Sequence, residues 1–579
     1  MSETISLGTY LFERLHQKPL DLGSIFGVPG DFNLTLLDKI DEVDGLEWRG
    51  CANELNAAYA CDGYSRVKGA SAGGEGIGFA ALVTTFGVGE LSALNGVAGS
   101  FAEHVGMLHI VGIPSLDSQK KQLLLHHTLG NGDFSVFHRM SKNISQTTGV
   151  LSDPETAADT IDRVIEQAFI NQRPSYLAFP ANMVNVEVPK ERLNTPLNLN
   201  VPENDPDAQE EVLETVIDMI KNAKNPVIIV DACCARHNAS KEANELIKLT
   251  NFKYAITPMA KGTRYIEEEN DRFAGVYVGS LSYPEVKSSV EGSDLVLSCG
   301  AMLSDFNTGS FSYSFQTKNV VEFHSDYTKI RNANYPNVRM KELLLKLVSS
   351  SALKSAVANY KPEKLNKDPV EKNDLSNESN ITQLYLWSRL SGFLKEGDVV
   401  VTETGTSSFG IVQTKYPNNT LGISQVLWGS IGYSVGSAFG AVMAAEEQNP
   451  PRRVLLFVGD GSLQLTCQEI SSMVRFGKRP YLFVLNNAGY TIEKLIHGEH
   501  AEYNQIQPWN HQVMLEFFGA KKSETHRVQK VGELEKLFKD EKFAKNDTIR
   551  LVEIMLEEMD APTNLVLQAK MSEKANAEQ

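Results

Sequence analysis

Cysteine is scarce in this chain: six residues in 579, at positions 51, 61, 233, 234, 299 and 467, with no C-x-x-C pair among them. Spacing so sparse and irregular excludes a disulfide framework and a zinc ribbon, and reduced thiols, several of them in cores, are expected instead. Long apolar runs are missing too. No stretch approaches eighteen uncharged apolar residues, and the first twenty residues carry charges throughout without the apolar core of a signal peptide. These absences argue against a membrane span and a secretory leader and point to a cytoplasmic protein. Positive charge is in deficit, with 55 Lys and Arg against 72 Asp and Glu for a net charge of −17. The longest basic runs are pairs such as Lys120-Lys121, Arg452-Arg453 and Lys521-Lys522, so neither a nucleic acid nor an anionic membrane is an expected partner.

What the chain has is length and a repeating rhythm. At roughly 150 residues per domain, 579 residues suggest three or four domains. Short β-branched runs alternate with amphipathic stretches: SIFGV (24–28), ALVTTF (81–86), MLHIVGI (107–113) and SYLAFP (175–180), then NPVIIVDA (225–232) and DLVLSCG (294–300). The alternation returns in DVVVTETG (398–405), RVLLFVGDG (453–461), RPYLFVLNN (479–487) and IRLVEIML (549–556). Such alternation predicts an α/β protein with three doubly wound parallel-sheet domains. Polar stretches rich in Pro, Asn, Lys and Asp at 188–209 and 359–380 read as linkers, which divides the chain into 1–188, 189–360 and 361–579. The first and last thirds share a rhythm that suggests two related folds.

One motif carries chemistry. The run RVLLFVGDGSLQLTCQEI ends a strand in Gly459-Asp460-Gly461-Ser462 and opens a helix, placing the turn at the carboxyl edge of a parallel sheet, where α/β folds bind ligands. Twenty-seven residues after Asp460, a second strand ends in Asn486-Asn487, followed by Ala488-Gly489. If the two strands are adjacent, the Asp460 carboxylate, the Asn487 amide oxygen and a backbone carbonyl converge as a hard-oxygen set suited to Mg²⁺. Gly-Asp-Gly alone is a common turn. Coupled to N-N at this spacing, it is the signature of thiamin diphosphate enzymes, in which the segment after Gly461 meets the diphosphate.

The resemblance extends over nearly the whole chain. GVPGDFNLTLLDKI, ANELNAAYACDGYSR, TTFGVGELSALNGVAGSFAEH and KQLLLHHTLGNGDFSVFHRM in the first third, with ETGTSSFGI, ISQVLWGSIGY and GYTIEKLIHG in the last, resemble the thiamin diphosphate-dependent 2-oxo acid decarboxylases of the yeast pyruvate-decarboxylating type. The resemblance implies pyrimidine-binding, middle and diphosphate-binding domains in that order. It implies a homo-oligomer, a dimer of dimers, with active sites between the first domain of one subunit and the third of another. The implied reaction is non-oxidative conversion of pyruvate to acetaldehyde and CO₂, a step of alcoholic fermentation, with thiamin diphosphate and Mg²⁺. Decarboxylation leaves a carbanion that no side chain can stabilise, so the electron sink must be a cofactor.

The same resemblance implies roles residue by residue. Glu54 corresponds to the glutamate that hydrogen-bonds the aminopyrimidine. Thr406, the backbone of Gly429, Ile431 as the prop under the cofactor, Gly461, Ser462 and Ile492 are implied cofactor neighbours. Asp460, Asn487 and the Gly489 carbonyl are the implied metal ligands. Asp31, His126, His127 and Glu493 match a polar cluster that moves protons after CO₂ leaves, and a raised pKa for Glu493 in an apolar pocket is expected. As neighbours in sequence, His126 and His127 are expected to point apart and to lack an acidic partner, which weighs against a metal site there. Phe306 and Ser408 are implied at the substrate pocket, with Ser408 altering its polarity. Cys233, the first cysteine of VDACCARH, is implied in activation by substrate.

Three readings compete with this one: decarboxylation of larger 2-oxo acids such as indolepyruvate, carboligation with a bound flavin, and a non-catalytic paralogue. Phe306, Ile492 and Ile431 suggest a small pocket, His126, His127 and Glu493 favour decarboxylation, and Glu54, Asp460 and Asn487 are all present. Two departures from the family stand out. Between Gly69 and Thr84 the chain reads ASAGGEGIGFAALV, longer than usual; its glycines precede an apolar run instead of following a strand, so a surface insertion is expected rather than a nucleotide loop. Ala488 stands where close relatives carry Asp, a change expected to spare the metal site.

Overall fold

A computed structural model describes residues 3–70, 77–362, 364–365 and 375–577. Three large sheets appear, two parallel and one mainly parallel, and every apolar run singled out above forms a strand within one of them. The first sheet is ordered Glu47–Gly50, Ser24–Gly27, Ala81–Thr85, Leu108–Ile113, Ser175–Pro180, Thr148–Val150. The third is ordered Leu421–Ile423, Val399–Thr402, Val454–Gly459, Tyr481–Asn486, Ile549–Met555, Ser523–Val528. Numbered along each segment, both read 2-1-3-4-6-5 and every pairing is parallel, so the shared rhythm of the two thirds is a shared topology. Central strands such as Ala81–Thr85, Leu108–Ile113 and Pro226–Val230 are buried at every residue, as expected of parallel sheets covered on both faces.

The middle sheet departs from the parallel rule at one edge. Five parallel strands, Phe273–Val276, Lys253–Ile256, Pro226–Val230, Leu295–Cys299 and Val320–Phe323, are extended by Tyr327–Ile330 and Ala333–Pro336, both antiparallel. The linker expected at 188–209 is also partly ordered. Its start belongs to the strand Glu187–Pro189, which pairs antiparallel with Thr4–Ser6, and its end is the first turn of the helix Pro206–Asn222, capped by Asp205. Residues 363 and 366–374 of the second linker and residues 71–76 of the expected insertion lie outside the described residues. The described part of that insertion is packed: a Cβ on Gly78 would lie 1.7 Å from the Ser65 carbonyl oxygen.

The first and third sheets share one continuous core, while the middle domain has its own. The junction is a crossing of the helices Glu54–Gly69 and Tyr433–Glu446. Small residues permit it: a Cβ on Gly440 would lie 1.7 Å from the Ala60 carbonyl oxygen, and one on Gly63 would lie 2.0 Å from that of Ser437. Buried polar bonds pin the same junction, with the Tyr433 hydroxyl donating to Asp62 at 2.5 Å and Arg66 Nε donating to the same oxygen at 2.6 Å.

Candidate active site

The strands Val454–Gly459 and Tyr481–Asn486 are parallel neighbours, with Gly459 opposite Leu485, so Asp460 and Asn487 emerge side by side at the carboxyl edge. Asp460 is buried and accepts the amides of Gly461 at 3.0 Å and Gly489 at 3.2 Å. Among the described residues no Lys, Arg or His forms an ion pair with it. Burial pushes its carboxyl up to about 6 in spite of those amides, as expected of an anion left without a cation. The Asn487 amide oxygen lies 3.0 Å from Asp460 Oδ1 and 3.2 Å from the Gly489 carbonyl oxygen, while its nitrogen faces the Thr491 hydroxyl at 2.7 Å.

Three oxygens facing one another with no hydrogen between them repel; turning the amide over would convert every contact to a hydrogen bond. A hard cation resolves the same geometry without the turn. Two ligands at about 2.0–2.1 Å from one octahedral Mg²⁺ stand about 2.9 Å apart, close to the separations observed here. The donor set fits the ion. Ala488 adopts a left-handed conformation, φ +57°, its side chain is exposed, and its carbonyl accepts Lys494 Nζ at 2.9 Å.

Facing this edge are the turns after two other strands. Thr406 is buried at the start of a short helix, and Ile431 is half-buried between Gly429 at φ +62° and Gly432 at φ +87°. Gly461 and Ser462 are buried; a Cβ on Gly461 would lie 2.7 Å from the Tyr490 ring. Ile492 is half-buried beside Thr491. A pocket next to these turns is lined by Phe306, Thr404, Ser408, Phe409, Gln425 and Asn564. Phe306 and Phe409 meet edge to face at 5.6 Å. The Ser408 hydroxyl donates to the Gly405 carbonyl at 3.1 Å, so the polarity expected from it is spent on the backbone.

Glu54 opens its helix behind Asn53, whose side chain accepts the Asn56 amide. It is half-buried, and burial raises its carboxyl above the usual range. Its Oε1 lies against Gly89, where a Cβ would stand 3.0 Å away. Two residues earlier Gly87, at φ +68°, passes under His127, whose carbonyl oxygen would be 2.3 Å from a Cβ there. One turn therefore underlies both residues.

His126 and His127 do not point apart. Their ring centroids are 4.6 Å apart, because His127 sits at φ +63° and folds the chain back on itself. The acidic partner comes from a distant loop: His126 Nε2 and Asp31 Oδ2 are 2.7 Å apart, with Phe32 stacked on His126 at 5.0 Å. Half of each of the Asp31 and His126 side chains is exposed, 51 % and 55 %. Glu493 is exposed, so the apolar pocket expected around it is not built by the chain alone. No hydrogen bond or ion pair among the described residues joins Asp31, His126, His127, Glu54 or Glu493 to the Asp460 cluster.

Cys233 is fully buried beside His104 and His237, and burial pushes its thiol well up. A thiol so held is protonated and inaccessible, the opposite of a reactive thiolate. Burial also takes His104 down to about 2 and His237 down to about 3, so both rings are neutral. Arg173 donates to His104 Nε2 at 2.8 Å and sets a guanidinium where a metal ion would need room. The remaining cysteines are free thiols, all buried except the half-buried Cys51.

Sequence reasoning passed over two buried carboxylates beside these residues, Glu90 and Glu403. Both stand inside motifs quoted above, TTFGVGELSA and ETGTSSFG, each flanked by a glycine turn, which is the only signal that marked them.

Comparison with known proteins matches three family models. Residues 5–135 match the thiamine pyrophosphate enzyme N-terminal TPP binding domain, 213–344 the central domain and 403–554 the C-terminal TPP binding domain. The chain is 59 % identical over 579 residues to a pyruvate decarboxylase of Kluyveromyces marxianus, covering all of both chains. It is 57 % identical over 579 residues to pyruvate decarboxylase isozyme 1 of Saccharomyces cerevisiae and 58 % over 580 residues to a pyruvate decarboxylase of Candida albicans, again covering all of each chain.

Proposed function

Because this chain belongs to the pyruvate decarboxylase family of thiamine pyrophosphate enzymes, we infer that it converts pyruvate to acetaldehyde and CO₂ with thiamin diphosphate as cofactor. The observation that carries the site is the convergence of Asp460 Oδ1, the Asn487 amide oxygen and the Gly489 carbonyl, a set of hard oxygens that would hold Mg²⁺. In this reading the segments 1–188, 189–360 and 361–579 are the pyrimidine-binding, middle and diphosphate-binding units.

Thiamin diphosphate, when bound, supplies the electron sink for the carbanion left by departing CO₂. The chain's own residues do the rest. Asp460, Asn487 and Gly489 hold the cation, with Gly461 and Ser462 beside the diphosphate. Thr406, Gly429, Ile431 and Ile492 hold the rings in place. Glu54, whose carboxyl is raised above its ordinary range by burial, would hydrogen-bond a neighbouring heteroatom of the cofactor's ring. Pyruvate decarboxylation consumes one proton for each CO₂ released. Asp31, His126, His127 and Glu493 deliver and recover protons at the reacting carbon and its hydroxyl, the Asp31–His126 contact holding that imidazole in place. Phe306 and Phe409 wall a pocket suited to a methyl group.

The exposure of Asp31, His126 and Glu493, with Leu124 82 % and Leu129 58 % exposed on the histidine loop, supports completion of the site by a second copy in a dimer of dimers. No described helix is long and apolar enough to cross a membrane. Activation by substrate through Cys233 would require exposure of a thiol that is buried beside His104 and His237.

The deciding test is aldehyde release from pyruvate, phenylpyruvate and indolepyruvate, each with and without added Mg²⁺ and thiamin diphosphate. Turnover is expected with pyruvate and to depend on both additions. Faster turnover of the aromatic acids would overturn the substrate assignment, and full activity after exhaustive chelation would overturn the metal site.

A further inference from the structure

Glu403 lies one residue beyond the strand Val399–Thr402 and is completely buried. Its two oxygens serve different loops. Oε1 accepts the Thr404 amide at 2.9 Å. Oε2 accepts the Gly432 amide at 3.1 Å, the Ser434 amide at 3.2 Å and the Ser434 hydroxyl at 2.7 Å. Four donors fill the capacity of one carboxylate, and no Lys, Arg or His forms an ion pair with it among the described residues. Such a group is costly to bury, and burial pushes it up to about 7 even with all four donors in place. A neutral cap would satisfy either loop alone; only a group with two equivalent acceptors satisfies both.

The loops it joins need an external tie. Ile431 is flanked by Gly429 and Gly432, both at positive φ, so the backbone there is intrinsically loose. Three further bonds converge on the same stretch. Thr404 Oγ1 donates to the Gln425 carbonyl at 3.2 Å, the Ser430 amide donates to Gln425 Oε1 at 3.0 Å, and Thr466 Oγ1 donates to the Gly432 carbonyl at 2.6 Å. Thr466 belongs to the helix that Asp460 opens, so the metal turn is tied in as well.

We propose that Glu403 is a positioning residue for the cofactor: its one carboxylate clamps the turn at 404–406 to the turn at 429–432 and so fixes the cradle in which thiamin diphosphate is held. This rests on the reading of those turns as the cofactor site. Glu403 itself touches neither cofactor nor substrate in this scheme; it acts through Thr404 and Gly432.

The clamp makes a specific demand on its variants. In Glu403→Gln the amide oxygen can serve one loop, but the –NH₂ then faces the N–H donors of the other, so one loop is released. Thiamin diphosphate affinity, measured by calorimetric titration of the full-length protein with Mg²⁺ present, is expected to weaken at least about tenfold, the scale of losing charge-assisted bonds. The cofactor-free variant is expected to melt within about 3 °C of the parent, and KM for pyruvate at saturating cofactor to change less than kcat. Ser434→Ala removes the shortest bond and leaves three donors, for an expected loss of about threefold. Parental affinity in Glu403→Gln overturns the clamp, as does a weakening matched by an equal collapse of the cofactor-free protein. If Glu403→Gln does not fold, Ser434→Ala decides, and an unchanged affinity there is equally fatal. A parent chain that takes up no thiamin diphosphate would instead bring down the site reading on which the clamp depends.

Discussion

The crossing of the helices Glu54–Gly69 and Tyr433–Glu446 offers a test that links packing to chemistry. Gly432, Gly436 and Gly440 recur every four residues, and the last two face the Glu54 helix. In Gly440→Ala the new Cβ would stand 1.7 Å from the Ala60 carbonyl oxygen, 2.6 Å from its carbon and 2.9 Å from its Cα. These are backbone atoms inside a helix and cannot rotate away. Restoring an ordinary contact of about 3.4 Å requires the helices to part by about 1.7 Å, which opens gaps along an interface of alanines packed with no exposure. Overpacking of this kind costs about 1–3 kcal/mol, and the gain in helix propensity of Ala over Gly returns about 1 kcal/mol. A net loss of about 1 kcal/mol is expected, seen as a fall of a degree or more in melting temperature. The functional effect should be larger than the loss of stability suggests, because Glu54 opens the displaced helix and a shift of about 1 Å in a reacting group can cost about a hundredfold in rate. Thermal melting of the cofactor-free protein and kcat/KM for pyruvate at saturating cofactor read the two effects separately. Parental values of both would refute the crossing. A lower melting temperature with unchanged kcat/KM would show that the Glu54 helix moves without carrying its catalytic group.

Three further outcomes follow from the same geometry. Asp460→Ala removes the only carboxylate from the oxygen set, and calorimetric titration should show thiamin diphosphate affinity weakened by more than about a hundredfold in Mg²⁺; unchanged affinity counts decisively against the metal site. Ala488 is held at φ +57°, where a Cβ costs about 1 kcal/mol, so Ala488→Gly should raise the melting temperature slightly, while Ala488→Asp should change Mg²⁺-dependent cofactor affinity less than about tenfold because the side chain at 488 is exposed. Glu90, wholly buried between the Gly87 amide and the Tyr176 hydroxyl, is pushed by burial from an ordinary 4.5 up to about 7. The folded state therefore holds this proton more tightly than the unfolded one, and its contribution is lost as pH rises from 4.5 to 7. Chemical unfolding of Glu90→Gln should gain about 3 kcal/mol on the parent across that interval, and parallel pH profiles would refute the assignment.

How much of this was legible depends on which physics leaves a linear trace. Parallel strands buried on both faces read as unbroken apolar runs, so each such run became a strand, and the oxygen set survived because Asp460 and Asn487 each sit one residue past their strands, with Gly489 two residues further on. The antiparallel strands Tyr327–Ile330 and Ala333–Pro336 left no comparable run: the first alternates half-buried with buried residues, the second is a mostly exposed edge strand, and both mix polar with apolar residues. Side-chain direction was lost wherever a single torsion decides it. His126 and His127 face the same way only because His127 takes a left-handed φ, and nothing in LLLHHTLG encodes that angle. Burial of charge was the least legible property. Glu90 and Glu403 look like ordinary acids in sequence, yet both are sealed, and each answers the backbone donors of a glycine turn at positive φ. The recurrence has a physical reason. A turn that must leave room for a neighbour uses glycine, glycine leaves the backbone loose and its amides exposed to burial, and a carboxylate supplies two acceptors from one side chain. Rigid placement of the groups above those turns is what a buried acid gains in return for its desolvation.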